Sequence, residues 1–228
     1  MSLRAPVFAL LLTLAAVPAH GQGIVVDQGQ FAVTLDGRPA GVEDFVIRRA
    51  GRQEDAVFAN ATIRLDGPRG HQEVRPLLQA APLDGAAMGY QVSVTGVDAL
   101  ELRLQRSGRR YVASIQSSIG DEDREFQARP DTRIVDQQVA HHYYFIRDAR
   151  EGRPVHVLEP RTRRQLDLVA GPRVDEEIRV GRNVVQARRV EFTVGTEVRL
   201  VWYDRQGRVL RVEVPSEGYV AERSDLVG

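Results

Sequence analysis

The chain has 228 residues, with 31 basic residues (all arginine) against 31 acidic ones, and it contains neither cysteine nor lysine. That composition excludes disulfides, a lipidated cysteine, lysine Schiff-base chemistry and a P-loop. Acids are interleaved with the arginines throughout, so no basic stripe for nucleic acid forms and no nucleic-acid partner is expected.

The chain opens "MSLRAPVFALLLTLAAVPAHGQG". Arg4 supplies a positive start, Val7 to Val17 an apolar run too short to span a bilayer, and Ala19-His20-Gly21 the small residues that a signal peptidase reads. The expectation is a signal peptide over residues 1–21, cut after Gly21 or alternatively after Ala19, followed by a single β-rich domain over 22–228. An exported protein follows, periplasmic or extracellular, soluble and not lipid-anchored. No later apolar run approaches the ~20 residues of a spanning helix, so the protein is expected not to span the membrane.

From there period two dominates. Val57, Ala59, Ala61, Ile63 and Leu65 alternate with polar or larger neighbours, as do Leu100, Leu102 and Leu104. Such strands, with one face buried and one wet, belong to antiparallel sheets. Turn signals such as Asp36-Gly37, Asp66-Gly67-Pro68, Gly171-Pro172 and Arg205-Gln206-Gly207 divide the chain into about ten strands in a meander. A two-residue loop at Asp36-Gly37 predicts Leu35 opposite Arg38, Val33 opposite Ala40 and Phe31 opposite Val42. A three-residue loop at 205–207 predicts Trp202 opposite Leu210, Leu200 opposite Val212, Val198 opposite Val214 and Arg199 opposite Glu213.

One segment departs from this period. Between Asp131 and Asp148, apolar residues fall at Val135, Val139, Tyr143 and Ile146, a helical spacing. Asp131 or Thr132 is placed to cap a start and Gly152 follows the end, so residues 132–148 are read as one substantial helix. A strand is the alternative, since Tyr and Phe favour strands.

That segment holds "HHYYFI", His141 to Ile146. Adjacent histidines on a helix point about 100° apart, and the His-Glu-x-x-His spacing of a helical zinc site is absent. The expectation is a packing role, with Tyr143 and Ile146 docked on the sheet and the histidines at its border with solvent. There is no Gly-x-Ser-x-Gly elbow. "SIQSSIG" reads as strand end and turn. "GDEDRE", residues 120–125, lacks the ligand offsets of a calcium loop and reads as a solvated hairpin tip. No catalytic residue, metal site or cofactor is expected.

"GQFAVTLDGRPAGVEDFVI", "HHYYFI" and "VWYDRQGRVLRVEVP" with "GYVAERSD" together resemble a bacterial family of secreted domains of unknown function. The likeness covers most of the chain beyond residue 21 and includes a Trp-x-Asp-x-x-Gly-Arg hairpin at Trp202, Asp204, Gly207 and Arg208. It implies a curved antiparallel sheet wrapped around a helix, similar in kind to periplasmic carriers of lipoproteins or lipids, and it brings no catalytic residues. Pattern and resemblance together predict a mainly β fold: a single curved antiparallel sheet, a half-barrel or open barrel, with the 132–148 helix on its concave side. The leading function is a non-enzymatic binding or carrier domain for an amphipathic envelope molecule or lipid. The expected ligand-lining residues are Val135, Val139, Tyr143, Ile146, Leu200 and Trp202. The alternatives are an accessory module pairing with an envelope protein through a sheet edge, and a hydrolase using His141 or His142.

Overall fold

The computed structural model describes residues 23–50 and 56–225, so the expected leader lies outside the described residues. Fifteen strands form: β1 (Ile24–Leu35), β2 (Arg38–Ala50), β3 (Ala56–Gly67), β4 (Gly70–Ala80), β5 (Ala87–Gly96), β6 (Leu100–Ser107), β7 (Arg110–Ser117), β8 (Gly120–Gln127), β9 (Arg133–Ile134), β10 (Pro154–Glu159), β11 (Arg164–Val180), β12 (Asn183–Val194), β13 (Glu197–Tyr203), β14 (Val209–Val214) and β15 (Tyr219–Arg223). All join one sheet in the order β8-β7-β6-β5-β4-β3-β2-β1-β15-β14-β13-β12-β11-β10-β9. The fold is therefore two meanders joined where β15 pairs antiparallel with β1. Neighbours are antiparallel except β9 and β10, whose parallel pairing makes the sheet mixed rather than purely antiparallel. The ends, β8 and β9, do not pair with each other, so the sheet is not closed.

The strand count exceeds the expected ten because several turns carry weak signals. Those at 97–99, 118–119 and 195–196 each separate two strands without a Gly-Pro or Asp-Gly cluster. Conversely, Gly171-Pro172 is no turn. It sits inside β11, where the register against β12 shifts between Ala170 and Arg173. Proline has no N–H to donate, and a bulge is where a sheet tolerates it.

Period two located the buried face well: Val57, Ala59, Ala61, Ile63 and Leu65 are all buried, as are Leu102 and Leu104, and Leu100 partly so. The two hairpin registers need correction by one residue each. At the first, Leu35 does face Arg38, but Ala40 is bulged, so Val33 faces Gly41 and Phe31 faces Glu43. Gly41 is required there by close approach, because a Cβ would lie 1.8 Å from the Arg64 carbonyl oxygen on β3. At the last hairpin a bulge at Leu210 sets Trp202 opposite Arg211 and Leu200 opposite Glu213. One extra residue on one strand shifts every later pair, and loop length alone does not reveal it.

The 132–148 helix is corrected too. Only Ala140–Ile146 is helical, as a 3-10 turn, and all seven of its residues are buried. The residues before it are not helical: β9 pairs with β10, and a turn follows at residues 137–138, where Gln138 adopts a left-handed φ of 55°. A segment buried on every side has no wet face, so its apolar spacing carries little information about its period. The 3-10 segment is gripped from widely separated strands. Phe45 of β2 stacks on His141, Tyr90 of β5 meets His142 edge-on, and the Tyr203 hydroxyl of β13 donates to the Tyr143 carbonyl at 2.9 Å.

"GDEDRE" is not a hairpin tip but lies in edge strand β8, with most of its side chains exposed. A charged edge discourages pairing with another chain. The outer face of the sheet carries a second, small cluster in which Trp202 and Leu210 pack with Val180 and Ala187 from the far end of the β11–β12 hairpin.

Candidate functional site

The polar groups of the 3-10 segment fall into two sets, one at each end. At its N-terminal end the unpaired backbone N–H groups need an acceptor. Glu43 of β2 supplies it: its carboxylate accepts from the N–H of Ala140 at 2.8 Å and of His141 at 2.9 Å, and from His141 Nδ1 at 2.6 Å. Both side chains are fully buried. His142 is held differently. Its Nδ1 accepts the Asp136 N–H at 3.1 Å, which leaves the ring proton on Nε2. Burial, with His141 and Arg161 nearby, pushes the His142 pKa well below the usual imidazole value, so the ring is neutral.

Asp136 organises the next shell. Its carboxylate accepts from the Tyr90 hydroxyl at 2.7 Å and from Arg161 Nε at 2.7 Å. Burial alone would lower the Arg161 pKa, but Asp136, together with Tyr90 and Glu217, outweighs it and raises the pKa, so the guanidinium stays charged. Two further buried arginines repeat the pattern. Arg199 of β13 pairs with Glu159 at 2.6 Å, and Arg223 of β15 makes a forked pair with Asp27 at 3.0 and 3.1 Å beneath the rings of Phe31 and Phe45.

This interior has the parts of acid–base chemistry but no access for a substrate. A carboxylate on Nδ1 is the arrangement that orients a catalytic histidine, yet His141 Nε2 is as buried as the rest of the ring. His142 Nε2 carries its proton and is no metal ligand in that tautomer. Among the described residues no group of three or more His, Cys, Asp or Glu is placed to hold a metal ion. The histidines therefore lie in the sheet's interior, not at the solvent border expected for them. Arg199, expected opposite Glu213, is instead buried against Glu159, and Leu200 faces Glu213; Glu43 and Arg223 carry no expectation from the sequence, though a signal exists for all three. Glu43 is in phase with buried Phe45 and Ile47, Arg199 with Val201 and Tyr203, and Arg223 with Tyr219 and Ala221. A charge in the buried phase of a strand is the mark of an internal partner.

The C-terminal end of the segment is open. There Tyr144, Phe145 and Ile146, with Val57 and Val155, wall a cleft of about 250 Å³ that Arg49, Arg133 and Arg147 also line, with Asp84 and Asp148. Arg133 donates to the Phe145 carbonyl at 3.2 Å. Arg147 donates to the Tyr144 carbonyl at 2.8 Å, and its guanidinium lies 3.8 Å from the Tyr144 ring centroid. These cations sit on the carbonyl end of the segment, where its dipole favours them. Desolvation lowers the Arg133 pKa, with Asp84 and Asp131 opposing.

Of the six residues expected to line a ligand site, only Ile146 borders this cleft. Val135, Val139 and Tyr143 are buried in the main core, whereas Leu200 and Trp202 belong to the cluster on the opposite face. The six are thus not brought together. Comparison with protein-family models, with curated proteins and with solved structures finds no match to this chain.

Proposed function

We propose that this is an exported, non-enzymatic binding domain for an amphipathic envelope molecule, its sheet curled as a half-barrel about the 3-10 segment and its ligand seated at the open end. The observation that carries this reading is the composition of the cleft at that end: an apolar and aromatic wall from Val57, Tyr144, Phe145, Ile146 and Val155 beside the guanidinium groups of Arg49, Arg133 and Arg147. An apolar pocket with a few convergent polar groups is the common form of a small-molecule site. Each methylene placed there contributes about 0.8 kcal/mol. The resemblance to secreted carrier-like domains points the same way.

No helix among the described residues is long and apolar enough to cross a membrane. An accessory module that pairs through a sheet edge has less support. Edge strand β8 is highly charged, and its last residue exchanges hydrogen bonds with the Gln165 side chain at 2.8 and 3.1 Å. Titration with a polarity-sensitive fluorescent probe, followed by displacement with octanoate, tests the reading. Trp202 cannot report on this cleft because it packs in the outer cluster. Saturable binding that Val155→Arg abolishes supports the proposal. No saturable binding, and no lipid recovered with protein purified from its own envelope, would remove it.

A further inference from the structure

Taking the binding reading as its basis, we propose that the ligand's head group is a phosphate monoester, held in a second cleft that adjoins the first. This second cleft, of about 170 Å³, shares Arg147 and Asp148 with the first and adds Arg173, Arg188 and Arg205 on a polar lining. The charges there are unevenly matched. Arg188 is paired with Asp175 at 3.0 Å, and Asp204 with Arg208 at 2.6 Å. Asp204 also accepts the turn N–H groups of Gln206 and Arg208. Among the described residues Arg173 donates to backbone carbonyls, those of Arg147 at 2.7 Å and Ala149 at 3.0 Å, and makes no ion pair. Arg205 is exposed and makes no ion pair among the described residues. Arg147 has one carboxylate nearby, Asp148, at 3.5 Å.

Arg147, Arg173 and Arg205 therefore stand against Asp148, an excess of two positive charges. A carboxylate head group would match one of them. A phosphate monoester carries about −1.5 to −2 at neutral pH and matches both. Guanidinium forks also suit phosphate oxygens, which accept two parallel N–H bonds. Arg147 lies at the junction, stacked on Tyr144 of the first cleft while lining the second. An alkyl phosphate spanning that junction would put its chain against the aromatic wall and its head among the arginines.

Calorimetric titration of the folded protein with octyl phosphate, octanoate, octanol and inorganic phosphate tests this. The expected order is octyl phosphate tightest, by about tenfold or more over octanol, the scale of one charge-assisted hydrogen bond. Arg205→Glu should weaken octyl phosphate at least about tenfold and leave octanol binding and the melting temperature unchanged. Arg173→Gln should weaken it in the same direction, and added salt should weaken octyl phosphate most, octanoate less and octanol not at all. If octyl phosphate and octanol bind equally, or if neither variant affects the phosphate, the head-group assignment is wrong while the binding reading stands. If inorganic phosphate binds as tightly as octyl phosphate, the site belongs to the free anion and the amphiphile is not its occupant. If nothing binds, both readings fall together.

Discussion

The two ends of Ala140–Ile146 obey the same electrostatic rule and come to opposite uses. At the N-terminal end a carboxylate, Glu43, meets the free N–H groups; at the C-terminal end Arg133 and Arg147 meet the free carbonyls. Both arrangements complement the helix dipole. The difference is burial. Glu43 and His141 are sealed, so each of their contacts fixes the fold. The arginines border open clefts, so the charge that steadies the carbonyls also faces outward. A cluster of polar rings in a sequence is therefore a poor guide to a site. What matters is which end of the element the sheet leaves open.

The sharpest break of this comparison is Glu43→Ala. It strands two backbone N–H groups and one imidazole in the interior, and removing one member of a buried pair costs ~3–5 kcal/mol. The urea midpoint should fall accordingly. An unchanged midpoint would mean that the sealed end is not what holds the segment. Trp202→Ala tests the other face of the sheet. It should cost ~3 kcal/mol, the low end for a buried large aromatic, because the outer cluster is small. It should leave the cleft's probe binding intact, since the cleft lies on the other side of the sheet.

How far the sequence anticipates this comparison depends on which interactions are local. Alternation at Val57–Leu65 and Leu100–Leu104 reads directly as buried face, because each strand carries its own period. The bulges at Ala40 and Leu210 do not read, since an unpaired residue is decided by the twist of two strands together. The 3-10 segment fails for a related reason. Its surroundings come from β2, β5 and β13, so Val135 and Val139 look helical in spacing while lying outside any helix. For the ligand residues, Ile146 alone is placed at the cleft. Leu200 and Trp202 share a strand with Val201 and Tyr203 but point to the other face. Both phases of β13 are apolar enough that alternation could not choose between them.

The sealed end also makes a pH prediction. His142 is neutral in the fold and its pKa lies well below the ordinary 6.5, mainly through burial. The unfolded chain therefore binds the extra proton first. The stability tied to the neutral ring is complete above about pH 6.5 and is lost as the pH falls below it, at up to about 1.4 kcal/mol per unit. His142→Leu removes that contribution. Melting temperatures of wild type and variant measured from pH 7.5 to 5 should converge as the pH drops. Parallel curves would show that His142 is not buried as a neutral ring.

The smallest expected effect sharpens the open end. Gly207 closes the β13–β14 hairpin with a φ of 78°, a left-handed conformation, and its N–H donates to the Asp204 carbonyl at 3.1 Å. A side chain in that conformation costs roughly 1–2 kcal/mol. A Cβ there would also lie 2.8 Å from Cδ of Arg147, the arginine stacked on Tyr144 and shared by both clefts. The contact is to a flexible side chain, so Arg147 can move aside rather than force the hairpin open. Gly207→Ala should therefore lower the urea midpoint modestly while displacing Arg147 from its stacked position. Amphiphile binding should weaken by more than the stability loss alone explains, and tyrosine fluorescence should rise as the cation leaves the ring. If stability falls but binding is untouched, the turn and the cleft are independent, and Arg147 is a cap for the Tyr144 carbonyl and nothing more.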